Sequence, residues 1–246
     1  MSMERIRALR NSQIIILGIC IAAATIVSSI ILSRGFLGIT RFIRQQITVT
    51  GSARKDIKSD YVVWTCSFTR SDANLPSAYR KLMEDLEKVE SYLISKEVAE
   101  NEITTSQIST ETIYRRDTTD VERYRLVQSI EIRSSNVDKI ARISRESTEL
   151  INEGVEFVSS RAEFFYTKLD ELKVEMLARA TENAKQRAEN MVRATGNKIG
   201  LMRSAKMGVF QITPLNSTEV SDWGMNDTSS VEKKVTAVVN VSFAIE

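Results

Sequence analysis

Residues 231–245 read VEKKVTAVVNVSFAI, and this stretch decides the fold class of the chain. From one end to the other, every second residue lies on one face, and all of these except Lys233 are apolar. Such period-two alternation predicts a β-strand with one buried face. The same alternation recurs over residues 47–53 and 61–69, so the body of the chain is expected to contain extensive sheet.

Segments with helical periodicity separate the predicted strands. Residues 72–76 supply capping and first-turn residues for a helix over residues 75–93, and a short helix begins near Asn136 and ends at Gly154. The longest helix is predicted over residues 168–195, with Gly196 as its stop. Its apolar stripe consists of Leu169, Leu172, Met176, Ala180, Ala184, Ala188 and Met191.

Further strands are predicted over residues 102–114, 124–132, 155–167 and 199–213. The alternation of the third of these slips around Val158, which indicates a β-bulge. Strands and helices therefore follow one another in mixed order with short links. This order predicts an α+β fold with mixed or antiparallel sheets and three packed helices, to which one N-terminal transmembrane helix is added.

The transmembrane helix is predicted from residues 14–32 (IIILGICIAAATIVSSIIL), which contain no charged residue. As a helix this run would span about 28 Å, close to the thickness of a bilayer's hydrocarbon core. It lacks the terminal small-x-small site of a cleaved signal peptide, so an uncleaved anchor is favoured and cleavage stays the alternative. The anchor residues are Ile14, Ile15, Ile16, Leu17, Ile19, Ile21, Ile26, Val27, Ile30, Ile31 and Leu32.

The predicted organisation is a tail at residues 1–13, the anchor at 14–32, a linker or stalk at 33–46 and a folded domain at 47–246. Arginines are equally frequent on the two flanks of the anchor, so the positive-inside rule does not orient it. The very short tail favours a signal-anchor in the cytoplasmic membrane, crossing once, with the C-terminal domain on the periplasmic or extracytoplasmic side.

Composition narrows the classes of function. The first 33 residues contain three arginines and one glutamate, so their net charge is +2. The net charge of the whole chain is also +2, so the remaining body is near neutral. A neutral body argues against nucleic acid as a partner. The chain has no histidine, the commonest general base and metal ligand. Cys66 shares an apolar face with Trp64 and Phe68, which predicts a small buried hydrophobe rather than a nucleophile.

Residues 214–229 are predicted to form a loop that carries Trp223. Asp222 and Asp227 lie on either side of Trp223, and other oxygen-bearing side chains are nearby in the sequence, but their spacing is not that of a calcium-binding loop. Nothing in the sequence fixes the two carboxylates at the separation that a catalytic pair needs. We expect no cofactor, no metal and no catalytic residue. Two interpretations of Trp223 stay open: it folds back onto residues 207–210, which is favoured, or it contacts a partner.

Four cues in order resemble the SIMPL-domain family, long known as a domain of unknown function. They are the opening ITVTGSA at residues 47–53 followed by Trp64, the EITTS at 102–106, the alanine-striped helix with GNKIG at 196–200, and the valine-rich terminal strand. The resemblance covers about residues 47–246. It implies a bacterial cell-envelope protein and supplies no active-site residues, because no catalytic motif is attached to the family.

The family is similar to envelope proteins that include a periplasmic immunogenic protein resembling a ring- or channel-like homo-oligomer, and some relatives are labelled as oxidative-stress defence proteins. The resulting prediction is a membrane-anchored scaffolding protein that is not an enzyme and whose body forms a homo-oligomer. The alternative is an envelope binding or signalling module that uses the loop at residues 214–229 to contact a protein partner, with a link to oxidative-stress defence.

Overall fold

The structure is a computed structural model that describes residues 18–34, 45–117 and 119–246. Residues 18–34 form helix α1, whose large apolar side chains are exposed. The predicted tail, four of the predicted anchor residues (Ile14, Ile15, Ile16 and Leu17) and most of the predicted linker lie outside the described residues. Among the residues that are described, no helix has the length and apolar character needed to cross a membrane.

The rest of the chain is a mixed α+β body, as predicted. Its strands are β1 (Gln46–Lys58), β2 (Tyr61–Asp72), β3 (Ile103–Thr105), β4 (Ser109–Tyr114), β5 (Val121–Ser134), β6 (Glu156–Ser159), β7 (Glu163–Phe165), β8 (Ile199–Met207), β9 (Gln211–Pro214), β10 (Met225–Asn226) and β11 (Glu232–Ile245). Its helices are α2 (Leu75–Ser95), α3 (Val137–Glu146) and α4 (Leu169–Arg193), with 3-10 turns at Glu100–Glu102 and Ser147–Glu153.

The chain divides into two compact units. The smaller unit takes its described residues from Met1–Thr50, Ala184–Lys206 and Asn240–Glu246. The larger unit comprises Gly51–Asn183 and Met207–Val239, and it holds most of the folded body. The loop at residues 214–229 that is described below lies within the larger unit, whereas most of β8 lies in the smaller one.

One sheet of six strands belongs to the larger unit. Its order is β3-β5-β2-β6, with β4 also beside β5 and β7 also beside β2, and every pairing is antiparallel. Trp64 faces Ile132 across the β2–β5 pair and Cys66 faces Ile130, and all four side chains are fully buried. The alternation predicted for β2 and β5 is thus confirmed, and α2 and α3 contribute to the same hydrophobic core.

Helix α2 begins with a cap and is joined to β2 by an ion pair. The Asn74 side chain accepts a hydrogen bond from the Ser77 N–H at 3.0 Å, which satisfies one of the free donors at the helix start. The Arg70 guanidinium makes a two-pronged contact with the buried carboxylate of Asp85, with Nη2 2.7 Å from Oδ1 and Nε donating to Oδ2. Arg70 Nη2 also donates to the Gly154 carbonyl at 2.7 Å, so one side chain connects three parts of the core.

A second sheet has the order β1-β11-β9-β10, and β8 also pairs with β11. Strand β9 is antiparallel to β11, with Ile212 opposite Val235, and β10 is parallel to β9. The predicted apolar face of β11 is confirmed. Its buried residues include Lys233, Val235, Ala237, Val239, Val241 and Phe243.

Four predicted elements differ in detail. Residues 155–167 form two strands, β6 and β7, that both pair with β2. Between the pairs Cys66↔Ser159 and Val63↔Glu163, the β6–β7 segment has one residue more than β2. The irregularity therefore lies just after Val158, where it was predicted. Residues 102–114 and 199–213 are likewise each two strands rather than one. The stripe on α4 ends at buried Val192 rather than at exposed Met191, because burial follows a constant four-residue spacing.

Candidate functional site

The loop at residues 214–229, called here the tryptophan loop, joins β9 to β11 and contains β10. Trp223 is 95% exposed and Val220 is 82% exposed. The expectation that Trp223 folds back onto residues 207–210 is therefore wrong. Gly224 explains the difference, since a Cβ built there would lie 2.9 Å from the Phe210 carbonyl and 3.6 Å from the Val209 side chain. The close approach is made by the glycine backbone, with φ at +84°, and the indole is left outside.

Hydrogen bonds hold the tryptophan loop in place without burying its tip. The Gln211 side chain donates to the Ser221 carbonyl at 2.6 Å and accepts from the Ser221 N–H at 3.3 Å. Lys234 Nζ donates to the Ser217 carbonyl at 3.0 Å, and Gly224 N–H donates to the Ser221 carbonyl at 3.1 Å. An exposed indole on an anchored backbone is the kind of side chain that contributes most to protein–protein binding, because little order is lost when it is covered.

The buried side chain of Lys233 holds the C-terminal end of the tryptophan loop. Lys233 is 3% exposed, and its ammonium donates to the Phe164 carbonyl at 2.5 Å and also to the Asp227 carbonyl. The Phe164 N–H donates to the Thr228 carbonyl at 2.7 Å. Burial lowers the pKa of Lys233, and the nearby Asp227 carboxylate partly opposes this effect. The ammonium thus joins β11, β7 and the loop.

One oxygen of the Asp227 carboxylate, Oδ1, is hydrogen-bonded within its own turn, and Oδ2 is buried without a hydrogen-bond partner among the described residues. Burial acts to raise its pKa, but hydrogen bonds from Ser229 and the charge of Lys233 outweigh that effect, so the pKa lies below its ordinary value. Oδ1 accepts from the Ser229 N–H at 2.8 Å and from its hydroxyl at 2.7 Å, whereas Asp222 is exposed. Across the described ranges, no group of three or more His, Cys, Asp or Glu residues is arranged to hold a metal ion.

Cys66 has the buried environment that its position in the sequence predicts. It is fully buried, and the loss of solvation raises the pKa of its thiol to about 12. A thiol that stays protonated at neutral pH is a poor nucleophile. This residue therefore belongs to the core.

Strand β8 presents a second exposed surface, called here the β8 edge. Among the described strands it pairs only with β11, and residues 201–207 are exposed along its length. Leu201 is 79% exposed, and Met202 and Met207 are also largely exposed. An edge strand with unpaired backbone groups and apolar side chains can accept another strand. The alternation in the sequence did not predict this exposure, because alternation alone does not distinguish an edge strand from a central one.

Lys233 and Gln211, which position the loop, are residues that the sequence analysis did not identify as functional. Lys233 carried a usable signal, since a lysine in phase with an apolar face must either break that face or be buried with partners. Gln211 carried none, because its partner, Ser221, is set by the loop path.

The family described as SIMPL, a protein of unknown function (DUF541), matches residues 47–243. None of the curated proteins matches the chain.

Lys233→Met tests the role of the buried ammonium. The variant keeps the length of the side chain but leaves the carbonyls of Phe164 and Asp227 without their donor, so the free energy of unfolding should fall by about 2 kcal/mol. Urea denaturation followed by circular dichroism measures the change. Lys234→Met, which removes one hydrogen bond from a less buried lysine, is the matched control and should cost less. Equal losses in the two variants would contradict the assignment.

The pH dependence of the stability difference between the wild type and Lys233→Met gives a second test. Because the pKa of Lys233 is lowered on folding, the unfolded chain binds more protons between the lowered value and the ordinary value of 10.5. Stability of the wild type relative to Lys233→Met should therefore rise with pH across that window. The neutral amine still has two N–H donors for its two carbonyls. A relative stability that falls with pH would show that the charged form is preferred.

Proposed function

Since the chain belongs to the SIMPL family of proteins of unknown function, we propose that it is a membrane-anchored cell-envelope protein of scaffolding type. Its body associates with further copies of itself, and it catalyses no reaction. The observation that carries the proposal is the β8 edge. There, a long strand with exposed apolar side chains pairs with β11 on one side and, among the described residues, has no partner strand on the other. The proposal has three parts: anchoring, sidedness and self-association.

The anchoring part is supported by residues 14–32 of the sequence and by the exposure of α1. Ile31 and Leu32 are among several large apolar side chains of α1 that contact nothing that would shield them from water. Apolar surface of this extent is stabilised by removal from water, and a bilayer provides that environment along a helix.

Alkaline carbonate extraction of membranes tests the anchor. The full chain should remain in the membrane pellet, and a reporter fused to its C-terminus should be outside the cytoplasm. Ala23→Arg places a charge near the middle of the apolar run, which costs about 3 kcal/mol of insertion free energy and should reduce the retained fraction. Ala23→Leu is the control. Release of the wild type into the soluble fraction would contradict the proposal.

The self-association part is supported by the geometry of β8. A strand from a second copy that adds to this edge would pair the free N–H and C=O groups and cover Leu201 and Met202. Both effects favour association, and they need no rearrangement of the sheet.

Leu201→Lys tests the β8 edge as the interface. The detergent-extracted wild type should be a multimer by analytical ultracentrifugation at micromolar concentration, and Leu201→Lys should shift it to the monomer, because the added charge would be desolvated at the interface. Val174→Lys changes a side chain that is 70% exposed on α4 and is the matched control. A monomeric wild type would exclude self-association, and a multimeric Leu201→Lys would exclude this edge.

A second function is favoured by the exposure of Trp223. On this alternative, the tryptophan loop binds another envelope protein, with the indole as the central contact and Val220 beside it in the loop. The anchored backbone limits the entropy that is lost on binding. This function does not require the β8 edge.

Trp223→Ala separates the two functions. Because the indole is almost fully exposed, its removal should leave the thermal unfolding temperature unchanged while it abolishes capture of an envelope protein by the immobilised full chain. Tyr79→Ala, which removes a half-exposed aromatic side chain from α2, is the control and should leave capture intact. If Trp223→Ala lowers the unfolding temperature markedly, or if capture is unchanged, the binding function fails.

A further inference from the structure

A small polar pocket lies between the tryptophan loop and the face of the sheet that carries it. Its floor consists of two cross-strand pairs, Lys234 opposite Thr213 and Thr236 opposite Gln211. Along β11, Lys234 and Thr236 alternate with Lys233, Val235 and Ala237, whose side chains are buried on the other face of the sheet. The floor is therefore the polar face of the sheet.

The loop forms the wall of this pocket, and β1 adds a cation. Residues 217–220 line one side, and Arg54 contributes from β1. The hydrogen bonds from Gln211 to Ser221 and from Lys234 to Ser217 fix the loop above the floor. The enclosed volume is about 190 Å³, enough for one small polar group and some water.

The lining groups are mainly hydrogen-bond donors. Arg54 has five N–H donors, and its side chain makes no hydrogen bond or ion pair to another described residue. Lys234 uses one of its three donors on the Ser217 carbonyl. Thr213 is 3% exposed, and its hydroxyl makes no hydrogen bond to another described residue. That hydroxyl faces the pocket, so it can donate a hydrogen bond to a group that enters there.

We propose that this pocket binds a phosphate group. Arginine and lysine together with threonine hydroxyls are the side chains that recognise phosphate oxygens, and they approach from the floor and from the wall, as a tetrahedral anion requires. A planar carboxylate would use only part of such an arrangement. Neither anchoring nor self-association depends on this site, so it goes beyond the proposed function.

Glu219 is the one acidic residue in the lining, and it limits the affinity. Its carboxylate opposes the charges of Arg54 and Lys234 at the mouth of the pocket. Binding of inorganic phosphate should therefore lie in the millimolar range. Removal of the charge of Glu219 should strengthen binding.

Isothermal titration of the detergent-solubilised full chain with inorganic phosphate, at constant ionic strength adjusted with chloride, tests the site. The wild type should show saturable binding, Arg54→Gln should weaken it about tenfold, and Thr213→Val should weaken it severalfold. Glu219→Gln should tighten it. Lys185→Met removes the same charge from an exposed position on α4 and should leave binding unchanged.

Three results would overturn the proposal. They are the absence of saturable binding at millimolar phosphate, equal weakening by Lys185→Met and Arg54→Gln, and binding of acetate as tightly as phosphate. Arg54 is exposed, so Arg54→Gln is expected to fold even if Thr213→Val does not. Titration with glycerol 3-phosphate identifies the source: tighter binding than inorganic phosphate indicates an esterified phosphate such as a headgroup, and weaker binding indicates free phosphate.

Discussion

The ammonium of Lys233 holds together the part of the larger unit on which the candidate site depends. It is buried, and it is bonded to one carbonyl from β7 in the six-stranded sheet and to another from the loop that follows β10. A buried cation is tolerated only where polar groups replace water, so both carbonyls must stay where they are. The positions of the loop, of β7 and of the start of β11 are therefore coupled through one side chain.

This coupling explains how the tryptophan loop can be ordered and yet expose its largest side chain. The loop obtains its order from Gln211, Lys233 and Lys234, which bond to its backbone, rather than from a hydrophobic contact of its own. Trp223 and Val220 are then free for other contacts. The same arrangement leaves the space between loop and sheet polar, because the residues that hold the loop from that side are hydrogen-bonding side chains.

The strongly alternating strands could be predicted from the sequence, because β2, β5 and β11 each bury one face and the two-residue period records this directly. The end of the 3-10 turn that follows α3 and the end of α4 could also be predicted, from glycines that adopt positive φ at residues 154 and 196. The exposure of Trp223 and of β8 could not be predicted, since each depends on which segments pack nearby. The Arg70–Asp85 pair was missed for the same reason: the strand and the helix that it joins are separated by a turn whose path the sequence pattern does not specify.

The burial of the Cys66 thiol has a consequence for its reactivity towards oxidants. It sits at the centre of the β2–β5 pair, where oxidants and other thiols have no access while the sheet is intact. An oxidising compartment is then harmless to the native body, whereas a molecule whose central strands have separated would expose a single cysteine able to form mixed disulfides. The reactivity of the Cys66 thiol, unlike that of the exposed Cys20, thus depends on whether the body is folded.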